Sequence, residues 1–309
     1  MSLCITALTP SGIILTADSR QTYRNNAGMT RIGTDNAVKL FRLGKKMGVV
    51  IAGRAFFPDS TGVVKNTGWF IEEFRKSVLD GKDTIGIKET AEYLNDYLLH
   101  SFLKPEEARI KKLLPAEIAK EGGTKLVFGA TEGVTINYSF TKDGKNIERK
   151  FYIETVSFIV AGYNSDGVGQ AYFVEVPHPP TDPLSRNTKA GGHLRIGQID
   201  VVGRIIKGWP PELFNLDFIK NAQSQGVKVN EELDKLEYII NWGIMTLQDA
   251  IDFCVLMTRI TESVQRFSDG TFMTPGGITG VGGAIDIAKI TPDTDFQWVR
   301  EKQLEVNDD

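Results

Sequence analysis

The sequence is poor in the residues on which metal, redox and phosphate sites usually depend. Its 309 residues include two cysteines and three histidines, and it contains no phosphate-binding P-loop, H-E-x-x-H helix or C-x-x-C pair. His100, His178 and His193 lack the spacing of metal ligands, so we interpret them as structural or solvated. These absences leave no motif from which to predict a metal or an organic cofactor.

Long apolar runs and a strong net charge are also missing. No stretch approaches the roughly 18–20 apolar residues of a membrane span. The first residues lack the basic segment and the apolar segment of a secretory signal. A net charge of −3 and a pI near 5.8 give no reason to expect nucleic acid or a membrane as a partner. Cys4 and Cys254 fit buried, reduced thiols, and these features together predict a cytoplasmic protein.

The sequence does contain many short apolar runs separated by turn residues. They predict strands at Leu3–Leu8, Ile13–Ala17, Ala37–Leu43, Met47–Ala52, within 125–154, and at Val156–Tyr163, Gln170–Val176, His193–Gln198 and Ala284–Ile290. Apolar spacings of three and four predict helices at Val64–Leu79, Ile87–Phe102, Pro105–Gly123 with a break near Pro115, before Gly208, and at Thr246–Phe267. The remaining polar segments include two predicted loops, Gln21–Asn36 and Pro177–Pro183.

The order of these elements decides the expected fold class. Strands, two helices, strands, two helices and strands favour an α+β fold over a strictly alternating one. We expect a four-layer α-β-β-α sandwich, with two antiparallel sheets between helix pairs. One domain would cover 1–309, with insertions near 105–150 and 210–241 and an acidic tail at 293–309 that we expect to be partly disordered.

Four residues in the first fifty-three could form a catalytic group. If Met1 is removed, Ser2 carries a hydroxyl and a free α-amine, which are a nucleophile and a base on one residue. Asp18 follows Ser2 by 16 positions, and Gly53 follows Lys39 by 14 positions after an apolar strand. Each residue alone also has a plain structural explanation, such as a turn cap for Asp18 or a solvent-facing position for Lys39.

In these spacings the chain resembles proteasome β-subunits and the HslV peptidase. Those proteins begin with a catalytic threonine, and Ala17-Asp18-Ser19-Arg20, the interval from Lys39 to Gly53 and the strand Val156–Tyr163 are similar to their segments. The opening Ser2-Leu3-Cys4 is similar to that of the bacterial ancestral-type homologues called Anbu. The resemblance is sharp over residues 2–53 and extends further only as element order.

The resemblance implies an N-terminal-nucleophile hydrolase, a threonine- or serine-type peptidase that works through an acyl-enzyme. It implies that Ser2 attacks the carbonyl and that Lys39 favours the ionised hydroxyl. Asp18 would orient Lys39, and the Gly53 N–H would stabilise the oxyanion. Arg20 would brace Asp18 and the loop after it. The rings or spirals of this family imply a homo-oligomer, and a possible ATPase partner stays unknown.

The residues leave several alternatives open. Ser2 stands where the family has threonine, and neither Gln198 nor Gly280–Gly283 reproduces the family's supporting serine and aspartate. The fold could serve a small-molecule amidase or acylase, or a silent assembly subunit if Met1 is retained. Cys4 could replace Ser2 as nucleophile only after three residues are removed. Gly276–Gly283 could hold a phosphate, although a tight turn is the simpler interpretation.

Overall fold

The computed structural model describes residues 2–25, 29–59, 61–82, 85–181, 184–185, 191–271, 276 and 278–303. The first part of the chain forms β1 (Leu3–Thr9), β2 (Gly12–Asp18), β3 (Gln21–Arg24), β4 (Thr30–Thr34), β5 (Leu40–Gly44), β6 (Met47–Gly53), β7 (Phe56–Pro58), β8 (Val64–Asn66), α1 (Thr67–Ser77), α2 (Ile87–Leu98), a π-helical turn (Leu99–Leu103) and α3 (Lys104–Lys120). The second part forms β9 (Thr124–Glu132), β10 (Thr135–Lys142), β11 (Lys145–Tyr152), β12 (Val156–Tyr163), β13 (Gly169–Glu175), β14 (Leu184–Ser185), β15 (Gly192–Gly197), α4 (Asp200–Lys207), α5 (Asp217–Ser224), α6 (Val229–Leu233), α7 (Leu247–Phe267), β16 (Ile285–Ile290) and β17 (Gln297–Arg300). Short 3₁₀ turns lie at Pro211–Asn215, Asp234–Leu236 and Trp242–Ile244.

Antiparallel pairing organises most strands into two five-stranded sheets. The first sheet has the order β15-β1-β2-β16-β17, and the second has the order β14-β13-β12-β6-β5. A three-stranded sheet, β11-β10-β9, and the two small hairpins β3-β4 and β7-β8 lie outside them. The fold is therefore mixed α+β with several antiparallel sheets. Among the described residues no helix is long and apolar enough to cross a membrane.

Strand β1 supplies side chains to two separate apolar cores. Cys4 and Leu8 pack with residues of the second sheet, whereas Leu3 and Ile5 pack with α4 and α7. Because successive side chains of a strand point to opposite faces, a strand buried on both faces needs an apolar residue at nearly every position. This requirement explains why the segment reads as a continuous apolar run and not as an alternating one.

Strand β12 divides its side chains in the same way. Phe158 and Val160 pack in a cluster with α1, α2 and α3, while Ile159 and Ala161 pack with residues of the first sheet. The central strands of both sheets are thus covered on each face. This rigid centre holds the ends of β1, β2 and β6, where the candidate residues lie.

Two segments are more regular than the sequence predicts. Gln21–Asn36, expected to be a loop, contains the paired strands β3 and β4. The tail after Asp293, expected to be partly disordered, supplies β17, which pairs with β16. Phe296 is buried and Trp298 packs against the core between the sheets, so apolar burial holds the tail in place. Residues 304–309 of that tail lie outside the described residues.

The first helix begins later than the sequence predicts. Val64–Asn66 pairs as β8, and α1 starts only at Thr67. The Asn66 side chain accepts a hydrogen bond from the Trp69 N–H at 2.7 Å, and this cap fixes the start of the helix. Apolar periodicity alone could not separate this short strand from the helix that follows it.

The expected break at Pro115 does not occur, since α3 runs from Lys104 to Lys120. An internal proline removes one backbone donor and crowds the preceding turn. Ile110, Leu114 and Ile118 are buried along one face of this helix. Their burial outweighs the local cost of the proline. The other predicted strands and helices agree with the observed elements to within a few residues.

Replacing Phe158 with alanine should lower the free energy of unfolding by about 3–5 kcal/mol. Phe158 is fully buried, so truncation removes apolar contacts and leaves a cavity. The measurement is urea unfolding followed by circular dichroism. Phe218→Ala is the matched control, because that ring is 64% exposed and its loss should cost less than about 0.5 kcal/mol. Equal losses in both variants would contradict this assignment of the core.

Candidate active site

Asp18, the last residue of β2, holds the centre of the candidate site. Its side chain is fully buried, and three backbone N–H groups donate to it. Leu3 N lies 2.9 Å from Oδ1, while Arg20 N and Gly282 N lie 3.2 and 3.1 Å from Oδ2. A buried carboxylate is tolerated only where such donors replace water. Asp18 therefore joins the chain start, its own turn and the glycine-rich turn before β16.

Lys39 completes the coordination of this carboxylate. Its Nζ donates to Asp18 Oδ1 at 2.7 Å and also to the carbonyl oxygen of Arg20. Lys39 is 6% exposed, so the ion pair is shielded from solvent. The residue lies just before β5, and its own carbonyl oxygen accepts from Ile51 N at 2.9 Å. Backbone and side chain are both fixed, which removes most of the freedom of a long flexible side chain.

Ser2 is held from both sides by backbone hydrogen bonds. The next residue, Leu3, donates its N–H to Asp18, and the Ser2 carbonyl oxygen accepts from Gln198 N at 2.7 Å. Gly197 makes this approach possible, because a Cβ at that position would lie 2.0 Å from the Ser2 carbonyl oxygen. Ser2 is 4% exposed and borders the same cavity as Lys39.

Gly53 ends β6 opposite Val156 of β12. Its φ of +106° belongs to a region that favours glycine, and a Cβ would lie 2.4 Å from the Thr155 carbonyl oxygen. No other residue fits this position without moving the strand. Gly53 is exposed to the cavity, where a ligand could approach its backbone closely.

These residues meet in one cavity of about 1050 Å³. Ser2, Lys39 and Gly53 contribute to its wall, whereas Asp18 lies behind Lys39 and does not line it. The small hairpins border the opening, and the side chains of Tyr23, Phe56 and Trp69 line it as well. The volume suits several residues of a peptide or one medium-sized amide. The structure thus brings the four predicted residues together.

The Arg20 side chain does not brace Asp18 directly, in contrast to the prediction from sequence. Its guanidinium forms a bidentate pair with Asp35, with distances of 2.7 and 2.9 Å. The hydrogen bonds and charge of Asp35 raise the pKa of Arg20, and those of Arg20 lower the pKa of Asp35. Arg20 contacts Asp18 and Lys39 only through its backbone. Asp35 belongs to the segment that follows, so the guanidinium contacts that segment and not the Asp18 carboxylate.

Gln265 is a site residue that the sequence analysis missed. Its side chain donates to the Gln198 side chain and accepts from Gly280 N and Val281 N, both at 3.0 Å. It thereby connects the end of α7 to the strand beside Ser2 and to the glycine-rich turn. The local sequence around Gln265 does not predict these three hydrogen bonds, because their partners lie in other segments of the chain.

The alternative nucleophile, Cys4, is poorly placed for catalysis. Burial raises the pKa of its thiol, with smaller opposing effects of Lys39 and of the hydrogen bond to the Ile51 carbonyl oxygen. Cys4 packs between the two five-stranded sheets and does not line the cavity. Within the described ranges no group of three His, Cys, Asp or Glu residues is arranged to hold a metal ion. The glycine-rich turn, of which 276 and 278–283 are described, donates Gly282 N to Asp18.

His193 lies in an apolar environment on β15. Its ring stacks on Trp242, with centroids 5.1 Å apart, and meets Phe253 edge-on. Burial, and to a smaller degree the charge of Arg195, lowers the pKa of His193 to about 4. Its Nε2 lies 2.6 Å from Arg195 Nη1 and accepts a hydrogen bond from it. A neutral, stacked imidazole of this kind has a structural role.

Asp18→Asn should lower the free energy of unfolding by about 3–5 kcal/mol, because it leaves the Lys39 ammonium buried without its counter-charge. Adding Lys39→Met should restore part of the lost free energy of unfolding, since the unpaired ammonium is then absent. Chemical denaturation of the three proteins gives the comparison. The control Asp217→Asn changes a side chain that is 95% exposed and should stay within about 0.5 kcal/mol of wild type. A loss for Asp18→Asn no larger than that of the control would contradict the buried pair.

Acidification should destabilise the wild type more than His193→Gln. The unfolded imidazole has its ordinary pKa near 6.5, whereas the folded one has a pKa of about 4. Between these values the unfolded state binds a proton that the folded state does not. Stability is therefore retained above pH 6.5 and falls as the pH approaches 4, by up to about 3 kcal/mol. Urea unfolding midpoints at pH 7.5 and 4.5 measure the loss of stability in wild type and in His193→Gln, with His178→Gln, at an exposed position, as the control. The same pH dependence in all three proteins would contradict the role of His193.

Comparison with known proteins finds structural neighbours and no sequence family. No protein-family model and no curated protein matches the chain. The chain is similar to the Anbu (Gly-1) mutant from Hyphomicrobium sp. strain MC1, with 13% identity and a TM-score of 0.47 over 98% of this chain and 86% of that chain. It is also similar to Anbu (ancestral beta-subunit) from Yersinia bercovieri, with 12% identity and a TM-score of 0.47 over 97% and 88% of the two chains. At this TM-score the likeness carries no argument about the chemistry of the site.

Proposed function

We propose that the chain is a proteasome-like amide hydrolase in which Ser2, exposed by removal of Met1, is the nucleophile. The observation that carries this proposal is the buried ion pair of Lys39 and Asp18, which is hydrogen-bonded to the residue next to Ser2. Ser2, Lys39 and Gly53 share the wall of one cavity. Met1 lies outside the described residues, so its removal is part of the proposal.

The proposed fold is a four-layer α-β-β-α sandwich forming one domain. Its support comes from the three apolar cores, one between the five-stranded sheets and one on the outer side of each. The segments 105–150 and 210–241 are additions to this frame. The first supplies α3 and the three-stranded sheet, and the second supplies α5, α6 and short 3₁₀ turns.

The first half of the proposed reaction forms an acyl-enzyme. The Ser2 α-amine, with an ordinary pKa of about 7.7–8.0, takes the hydroxyl proton directly or through a water while Oγ attacks the amide carbon. An ammonium has three N–H donors, and Lys39 uses two of them on Asp18 and the Arg20 carbonyl oxygen. The third would stabilise the forming alkoxide. The Gly53 N–H would bind the oxyanion of the tetrahedral intermediate.

Collapse of this intermediate breaks the C–N bond. The departing amine takes the proton that the Ser2 α-amine had accepted, and an ester to Ser2 Oγ remains. Water then attacks the ester, with the same amine as base, and releases the carboxylic acid and the free hydroxyl. Every proton is returned, so the cycle needs no metal, cofactor or redox partner.

Serine in place of threonine has a physical consequence for this site. It lacks the methyl group that restricts χ1, so the side chain itself fixes the hydroxyl less well. Hydrogen bonds from Gln198 and to Asp18 fix the peptide group between Ser2 and Leu3, so they set the backbone position of Ser2 while χ1 keeps its freedom. The proposal includes a homo-oligomer in the cytoplasm. Exposed apolar side chains such as Ile239 and Phe267, which are 98% and 81% exposed, are available for subunit contacts.

Intact-mass analysis before and after treatment with a β-lactone or a peptide epoxyketone tests the function. The expected result is loss of Met1 and one adduct located on the Ser2 peptide. An epoxyketone bonds to both a hydroxyl and the adjacent α-amine, so its adduct reports that the two groups share one residue. Ser2→Ala should abolish both adducts, and Ser11→Ala, which changes an exposed turn serine, should leave them unchanged.

Two outcomes would contradict the peptidase proposal. Retained Met1 would block the amine and the nucleophile together and would indicate a silent assembly subunit. A free Ser2 that reacts with the β-lactone but not with the larger epoxyketone would indicate a narrower pocket and a small-molecule amidase.

A further inference from the structure

Arg54, the residue directly after Gly53, forms hydrogen bonds through both its backbone and its side chain. Its N–H donates to the Thr155 carbonyl oxygen at 3.0 Å, and its carbonyl oxygen accepts from Thr67 Oγ1 at 2.9 Å. Its Nε donates to the carbonyl oxygen of Phe56 at 2.9 Å. The backbone that follows Gly53 is therefore hydrogen-bonded to the residue before β12, to the first residue of α1 and to the Arg54 side chain.

The guanidinium of Arg54 also contacts two aromatic rings and a carboxylate. It lies over the rings of Phe57 and Phe102, 5.4 and 5.9 Å from their centroids. Its Nη1 donates to Glu106 Oε1 at 2.7 Å. Arg54 is one of the residues that line the cavity. Stacking and hydrogen bonding together allow one orientation of its planar head group.

Glu106 is the buried acceptor at the other end of this contact. It belongs to the first turn of α3 and is 2% exposed. Burial alone would raise its pKa, but hydrogen bonds from Arg109 and Arg54 outweigh that effect and lower the pKa. Arg109 donates to both carboxylate oxygens, at 2.6 and 2.8 Å. Glu106 is therefore paired with two guanidinium groups, of which Arg54 belongs to the segment after Gly53.

The same Thr155 carbonyl oxygen connects Arg54 to Gly53. It accepts the Arg54 N–H, and it is also the atom that a Cβ on Gly53 would strike at 2.4 Å. The Arg54 N–H and the Gly53 carbonyl group belong to one planar peptide, so a displacement of the Arg54 backbone also displaces Gly53.

We propose that Glu106 is a positioning residue for the oxyanion donor, acting through Arg54 on Gly53. This inference rests on the proposed function. It assigns a role in catalysis to α3, which lies in the predicted insertion 105–150. It also gives Glu106 a role that the next residue of the helix, Glu107, does not share. Glu107 pairs with Lys111 and Thr131 and does not contact Arg54.

The test measures β-lactone acylation of Ser2 in the full-length protein, separating the maximal rate constant (kinact) from the half-saturating concentration (KI). Glu106→Gln keeps the shape of the side chain and removes its charge, so kinact should fall about tenfold or more while KI stays within about twofold. The matched control Glu107→Gln loses an equal charge one position away and should react like wild type. In a second variant, Arg54→Lys, a single ammonium replaces the planar guanidinium. It cannot reproduce the pair of hydrogen bonds to Glu106 and to the Phe56 carbonyl oxygen, so this variant should also lower kinact.

Amide hydrogen exchange over residues 51–58 supplies a readout that does not need activity. Exchange in this segment should be faster in Glu106→Gln than in Glu107→Gln, while the segments of β1 and β2 stay unchanged in both. Equal kinact values for the two glutamine variants, or a change confined to KI, would overturn the proposal.

If wild-type Ser2 is not acylated at all, the proposed function fails. Equal hydrogen exchange over residues 51–58 in the two glutamine variants would then also overturn the positioning role of Glu106. If Glu106→Gln does not fold, the Arg54→Lys variant tests the proposal instead. A kinact and a hydrogen exchange rate equal to those of wild type would then contradict the positioning role.

Discussion

The buried carboxylate of Asp18 is the interaction on which the rest of the site depends. It replaces its lost hydration with the N–H groups of Leu3, Arg20 and Gly282 and with the Lys39 ammonium. Removing any donor would leave a buried charge undersolvated, so the four partners are held together. The constraint reaches beyond the carboxylate, because each donor also fixes a backbone segment. The chain start, the β2 turn, the start of β5 and the turn before β16 all take their positions from one side chain.

The resemblance over residues 2–53 predicted a group of four residues, and the hairpins of the fold explain how they come near one another. Ser2 and Asp18 lie at the open ends of a tight hairpin, where antiparallel pairing makes separation in space small. Lys39 and Gly53 flank a second hairpin, β5-β6, in the same way. Local pairing rules therefore bring the candidate residues together in pairs. Packing of one sheet on the other then brings the two pairs together.

The contacts that could not be predicted are those decided by competition among distant groups. Arg20 could have paired with Asp18 or with Asp35, and sequence offers no reason to prefer either. In the folded protein Lys39 occupies Asp18 Oδ1, so the Arg20 guanidinium pairs with Asp35. Gly197, whose missing side chain lets Gln198 reach Ser2, belongs to a strand far along the chain. The same limit applies to the fold, since the continuation of α3 through Pro115 depends on the core that covers it.

The distribution of Asp18 partners along the chain has a consequence for biosynthesis. A ribosome adds residues from the N-terminus, so Ser2, Asp18 and Lys39 leave the exit tunnel long before Gly282 is made. Until that turn docks, Asp18 lacks one of its donors and β2 lacks its neighbour β16. Long-range pairings of this kind form late, because the loop between the partners must close first. A growing or half-folded chain would thus carry the proposed nucleophile, Ser2, beside an incomplete Asp18 site. The proposed hydrolysis would begin only after the turn that contains Gly282 has been made and has docked.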